Sequence, residues 1–95
     1  MEKVKTFEDL NCWKAARELR MEISDLIRKF PQSEKFELVS QMRRASRSVT
    51  LNIAEGYGRF HFKENIQFCR VSRGSLYELL DQFITAHDEG YIDEK

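Results

Sequence analysis

Arg43, Arg44 and Arg47 crowd one short segment, followed by Asn52, Glu55 and, after two glycines, Arg59. Guanidinium groups gathered like this serve one of two chemistries. They hold the phosphates of RNA or DNA, releasing counterions as they do so. Or they pair with carboxylates and tie helices or subunits together. Lys63, Arg70 and Arg73 continue the basic run. Residues 38–77 balance at +5 and residues 78–95 at −5, although the whole chain is neutral. Overall neutrality argues against strong indiscriminate binding to nucleic acid, but segregated charge can make one face basic. Aromatic residues are not interleaved with the bases along the chain, as a run of stacking platforms would need.

Asn52 borders an apolar stripe and Glu55 lies one turn from Arg59. A carboxylate near a helical core needs a cationic partner, and Arg43, Arg44 or an arginine from another chain would supply it. Asn52 and Glu55 therefore read as a structural polar lock. As a catalytic base Glu55 has no second carboxylate or histidine at helical spacing. His61 and Glu64, three apart, give only a weak acid–base signal. Cys12 and Cys69 read as small core residues rather than a disulfide. Two histidines and two cysteines at scattered positions make no metal site, and Gly56-Tyr57-Gly58 is a helix stop rather than a phosphate loop. No cofactor and no enzymatic activity are expected.

Helical spacing must position these residues. Thr6-Phe7-Glu8-Asp9 has the form of a capping box, and Leu10, Trp13, Ala16, Leu19, Ile23, Leu26, Ile27 and Phe30 recur at three- and four-residue intervals. This predicts a first helix over residues 7–30, closed by Pro31. Ser33 would cap a second helix over residues 34–57, whose stripe is Leu38, Val39, Met42, Ala45, Val49 and Ile53. Gly56 and Gly58 would end it in left-handed geometry. A third helix over residues 62–89 would carry the stripe Phe62, Ile66, Cys69, Leu76, Leu80, Phe83 and His87, with Phe68, Leu79 and Ile84 beside it and Gly90 as its terminator. Gly74 in mid-helix would be explained by two helices passing closely there. Short links favour antiparallel neighbours, so residues 1–95 read as one all-α, up-down-up bundle. Trp13, Phe36, Tyr57, Phe60 and Phe62, beside Phe7, exceed what a small three-helix core readily absorbs. They are interface candidates, with core packing as the alternative.

These residues together resemble the 23S rRNA intervening-sequence proteins of bacteria. The resemblance covers nearly the whole chain. It rests on Phe7-Glu8-Asp9-Leu10 with Trp13 and Ala16, on Phe30-Pro31 with Glu34-Lys35-Phe36, and on Gln41-Met42-Arg43-Arg44-Ala45 with Ser48-Val49. It continues through Asn52-Ile53-Ala54-Glu55-Gly56-Tyr57-Gly58-Arg59, Lys63-Glu64, Phe68, Arg73-Gly74-Ser75-Leu76-Tyr77-Glu78-Leu79 and Gly90-Tyr91-Ile92. The resemblance implies a four-helix bundle, of which this sequence would supply three helices, since it ends before the fourth. It implies homo-oligomers, pentameric rings among them, and no established catalytic activity. Relatives that accompany diversity-generating retroelements are similar in fold and bind nucleic acid and reverse transcriptase. Thr50 stands where the family often carries proline, which would weaken a helix kink here. Leu51 stands where it often has a small residue, and His61 where it often has a capping serine.

The expected partners are therefore a second copy of the chain, RNA or DNA, or another protein. Met1-Glu2-Lys3-Val4-Lys5 has no apolar stretch behind it, so no signal peptide is expected. No run approaches the roughly 20 apolar residues of a membrane span. A cytoplasmic location, with no membrane partner, is the expectation.

Overall fold

The computed structural model describes residues 6–59 and 61–93. Helices α1 (Asn11–Ile27), α2 (Leu38–Tyr57) and α3 (Phe62–Asp88) account for most of it, and no strand occurs among the described residues. Arg20 of α1 meets Thr50 of α2, while Ile27 shares a cleft with Arg43, so α1 and α2 run antiparallel. Val49 meets Ser72 and Gly56 meets Asn65, so α2 and α3 are antiparallel too. The fold is an all-α antiparallel bundle. α2 is its centre, and α1 and α3 flank it without close backbone approach to each other.

The core forms where the stripes of α1 and α2 face each other, and Leu79 and Ala86 of α3 complete it. Ala16, Ile23, Ile27 and Phe30 are buried against Leu38, Val39, Met42, Ala45 and Val49. Leu19, Leu26 and Ile53 pack at its margin. These positions follow the predicted spacing. α2 runs unbroken through Thr50, which keeps the backbone N–H that a proline would lack.

Helix starts differ from expectation. Thr6 and Asp9 do form a capping box, but it closes a 3-10 turn over Phe7–Asp9, and extended Leu10 separates this turn from α1. Leaving Pro31, the chain makes a second 3-10 turn, Gln32–Glu34, and α2 begins only at Leu38. Ser33 is not its cap. The carboxylate of Glu34 accepts the Leu38 N–H at 3.2 Å instead, giving a free amide of the first turn a charged partner.

The far end of α3 closes on the same place. Gly90 has φ +80, and Tyr91 N–H reaches Ala86 C=O at 2.9 Å while Gly90 N–H reaches His87 C=O at 3.0 Å. This is the Schellman end predicted for Gly90. It throws Tyr91 back onto the Phe30 ring, 5.4 Å away, and its hydroxyl donates to Glu34 at 2.7 Å. That hydrogen bond, with partial burial, pushes the Tyr91 phenol up to about 12 from its ordinary 10. Its contribution to stability is fully present below the ordinary value and is lost as pH rises through about 12.

α3 corrects the sequence reading most. Its buried residues are Ser72, Ser75, Leu79, Gln82 and Ala86. Phe62, Cys69, Leu76, Leu80 and His87 of the predicted stripe are not in that buried set, and Ile66 and Phe83 are half-buried. α3 carries two seams at alternating three- and four-residue spacing, and the one that faces α2 joins the small Ser72, Ser75 and Ala86 to Leu79 and Gln82. The reason is close approach. Ser72 donates to the Val49 carbonyl at 2.9 Å and Ser75 to the Ser48 hydroxyl at 2.8 Å. Gly56 lies inside α2, buried, and is not left-handed. A Cβ there would stand 2.5 Å from Asn65 Oδ1, 3.0 Å from Phe68 Cβ and 3.3 Å from the Asn65 carbonyl. The Asn65 amide can swing aside, but the Phe68 Cβ and the carbonyl are fixed to the neighbouring backbone. Gly74 has no neighbour within 4 Å of its missing Cβ, so the close crossing is at Gly56 and not at Gly74.

These two glycines give opposite predictions. Gly56→Ala is expected to destabilise the fold by about 1–3 kcal/mol, because overpacking forces the helices apart. Gly74→Ala is expected to stabilise it by up to about 1 kcal/mol, the propensity difference at an open helical position. Urea denaturation of both variants measures the pair.

Candidate anion-binding face

α2 has one side committed to α3 and another bearing its arginines. Asn52 belongs to the first side. Its amide donates to the Ser48 carbonyl at 2.8 Å and to the Ser48 hydroxyl at 3.0 Å, and that hydroxyl also accepts from Ser75. Asn52 thus orients the serine pair that joins α2 to α3. Glu55 does not share this role. It is exposed and pairs with Arg59, four residues on, at 3.4 Å, a solvent-screened contact of little energetic weight.

The other side of α2 gathers Arg43, Arg44 and Arg47 with Ser40, Ser48 and Leu51 around one shallow depression. Arg43 and Arg47 also line a cleft of about 150 Å³ with Arg20, Ser24 and Ser46. Arg20 comes from α1 and carries no signal in the sequence pattern. It is half-buried, and its Nη1 donates to Thr50 Oγ1 at 2.9 Å, while Thr50 Oγ1 donates to the Arg47 carbonyl at 3.2 Å. None of Arg20, Arg43, Arg44 and Arg47 has an ion pair with a carboxylate among the described residues. A guanidinium held by a neutral hydroxyl keeps its charge and its remaining donors for something else.

Aromatic surface reaches this face from the start of the chain. Trp13 of α1 stands edge-on to Phe7 with ring centroids 5.3 Å apart, and both line a pocket with Arg20, Arg47, Thr50 and Leu51. In sequence these rings are far from the arginines of α2, and only the α1–α2 register brings them together.

The remaining basic residues lie elsewhere. Arg59 is engaged by Glu55 and by the Phe68 ring, 5.0 Å away. Arg73 lies over Tyr77 at 5.9 Å and lines a groove between α1 and α3 rather than the depression on α2. Lys63 and Arg70 are exposed on α3. Arg43 and Arg47 of α2 thus share their clefts with α1.

The groove between α1 and α3 is the second notable surface. It measures about 400 Å³ and is lined by Cys12, Ala16, Leu19, Val49, Ile53, Cys69 and Leu76. Both cysteines are free and exposed at this groove, so they are not the core residues expected. Among the interface candidates, Phe36 and Phe62 are 85% and 77% exposed, Tyr57 is exposed and Trp13 is half-buried. Phe60 lies outside the described residues. No group of three or more potential metal ligands clusters among the described residues, and no helix there is long and apolar enough to cross a membrane.

A sequence model described as the 23S rRNA-intervening sequence protein matches residues 8–95. The chain belongs to that family. No individual curated protein matches it.

The Arg20–Thr50 contact is open to a double-mutant cycle. Arg20→Ala, Thr50→Val and their combination are expected to show a coupling of about 1 kcal/mol in urea denaturation, the usual worth of such a hydrogen bond. Strictly additive effects would mean that the two side chains do not meet.

Proposed function

We propose that this member of the 23S rRNA-intervening sequence protein family is a non-enzymatic binding protein whose α1–α2 face holds the phosphates of RNA or DNA. The observation that carries the reading is the group of Arg20, Arg43, Arg44 and Arg47, which has no carboxylate partner among the described residues. Cations left without internal partners are what a polyanion requires, and the exposed Ser40 beside them supplies a neutral donor. Structured RNA is the first ligand to try. The chain's overall neutrality implies modest, strongly salt-dependent affinity. Glu55, the best acid the sequence offers for catalysis, is exposed beside Arg59, which suits a surface ion pair better than a catalytic base. Lys63, Arg70 and Arg73 of α3 become secondary candidates, and Arg59 the weakest.

A second reading has a specific observation behind it. The apolar α1–α3 groove, with Leu76 and Leu80 exposed beside it, suits association with a second copy of the chain. α3 carries Lys63, Arg70 and Arg73 in its first half and Glu78, Asp81 and Asp88 in its second. Two such helices laid antiparallel would match basic half to acidic half. In this reading the protein is an interaction module or accessory subunit, and the arginines serve subunit contacts.

Two experiments divide the readings. Titration with a structured RNA at several salt concentrations is expected to show binding at low salt. Changing Arg43, Arg44 and Arg47 to alanine should weaken it and flatten its salt dependence, by about 0.7–0.9 in log–log slope for each phosphate that is no longer neutralised. No binding at low salt, or indifference to the arginines, would contradict the proposal. Light scattering is expected to show an oligomer, a pentameric ring among the forms to be distinguished, that survives the arginine changes. Dissociation of that oligomer by the same changes would move the arginines to the subunit-contact reading.

A further inference from the structure

The pocket beside Trp13 combines features that bare phosphate binding does not need. It measures about 380 Å³ and is lined by Phe7, Trp13, Arg20, Arg47, Thr50 and Leu51. From this combination we infer that it takes an unpaired nucleobase against the indole, with the adjoining phosphate on Arg20 and Arg47. The inference rests on the nucleic-acid reading above and gives it a substrate class: single-stranded, looped or bulged segments rather than continuous duplex.

Three observations carry it. Trp13 is held by the edge-on contact with Phe7, at an interplanar angle of 68°, yet stays only half-buried. A pinned, partly open indole is a low-entropy platform for a flat ring. Arg20 is half-buried with a hydroxyl as its partner, so its charge is partly desolvated and unneutralised. An anion placed there regains what burial has taken from it, and the planar fork suits a phosphate. Leu51, 59% exposed, adds apolar surface to the same pocket, where phosphate alone would gain nothing. Bases inside a duplex are stacked and paired, so they cannot lie against a side chain without being extruded. An unpaired base needs no such opening.

Trp13 is the only tryptophan in the chain, so its fluorescence reports on this pocket alone. The probes are an oligoadenylate, a fully paired RNA duplex of equal phosphate count, and inorganic polyphosphate. Oligoadenylate is expected to quench Trp13, and to bind more tightly than the duplex, while duplex and polyphosphate leave the emission nearly unchanged. Labelled-oligonucleotide anisotropy then reads the variants. Trp13→Leu, which keeps apolar bulk but not the flat ring, should weaken oligoadenylate binding by roughly fivefold or more and leave duplex affinity in place. Trp13→Phe, which keeps a ring, should recover part of the loss, and this recovery separates stacking from a folding defect. Duplex binding as tight as oligoadenylate, with Trp13→Leu neutral for both, would overturn the inference and leave the phosphate-binding proposal standing. Failure of all three probes at low salt would overturn both.

Discussion

The contact on which the rest of the structure depends is the close crossing of α2 and α3. Gly56 lets the backbone near Asn65 and Phe68 approach, and two serine hydrogen bonds, Ser72 to Val49 and Ser75 to Ser48, hold the remainder of the seam. Leu79 and Ala86 of α3 are buried in the core beside these serines, so the interface combines close approach and satisfied hydroxyls with apolar burial. α3 must therefore turn its small seam inward, which leaves Leu76, Leu80 and Phe62 exposed. α2 must also fix its rotation about its own axis, which brings Arg43 and Arg47 to the cleft with α1 and leaves Arg44 on the outer face of α2.

The register of α1 then decides what those arginines meet. Its apolar stripe buries Ile23 and Ile27 fully and slots Ala16 beside α2. That placement carries Arg20 to Thr50 and Trp13 to the pocket next to Arg47. At the opposite end Tyr91 ties α3 to the Phe30 ring and to Glu34, whose other oxygen caps α2. One carboxylate therefore serves both a helix start and the return of the chain. The bundle is clamped at this end while its arginine face stays open.

Much of this was readable in the sequence. The stripes of α1 and α2 are bulky, regularly spaced and matched, so periodicity located the core and the antiparallel order. Gly90 was readable as well, because a positive φ and a following aromatic leave a local signature. α3 is less legible because periodicity recognises bulk. Its apolar seam, from Phe62 to Leu80, outweighs the seam of Ser72 and Ser75 on hydropathy, yet the close crossing at Gly56 and the hydroxyl contacts to Ser48 and Val49 select the latter, with Leu79 beside it. Periodicity likewise gives no way to tell the crowded Gly56 from the open Gly74. Neither glycine announces its environment; only the facing helix distinguishes them. Arg20 was passed over because its meaning lies in Thr50, 30 residues away. Likewise, aromatics and bases are interleaved in space and not along the chain.

The α1–α2 face, and not the bases of α3, is the surface proposed to meet nucleic acid. Amide and side-chain resonances followed by NMR during titration with an RNA hairpin that has an unpaired loop test this most directly. Shifts are expected at the guanidinium groups of Arg20, Arg43 and Arg47, at Thr50 and at the Trp13 indole N–H, with Lys63 and Arg70 little changed. Shifts concentrated on Lys63, Arg70 and Arg73, with Arg20 and Trp13 unmoved, would contradict it.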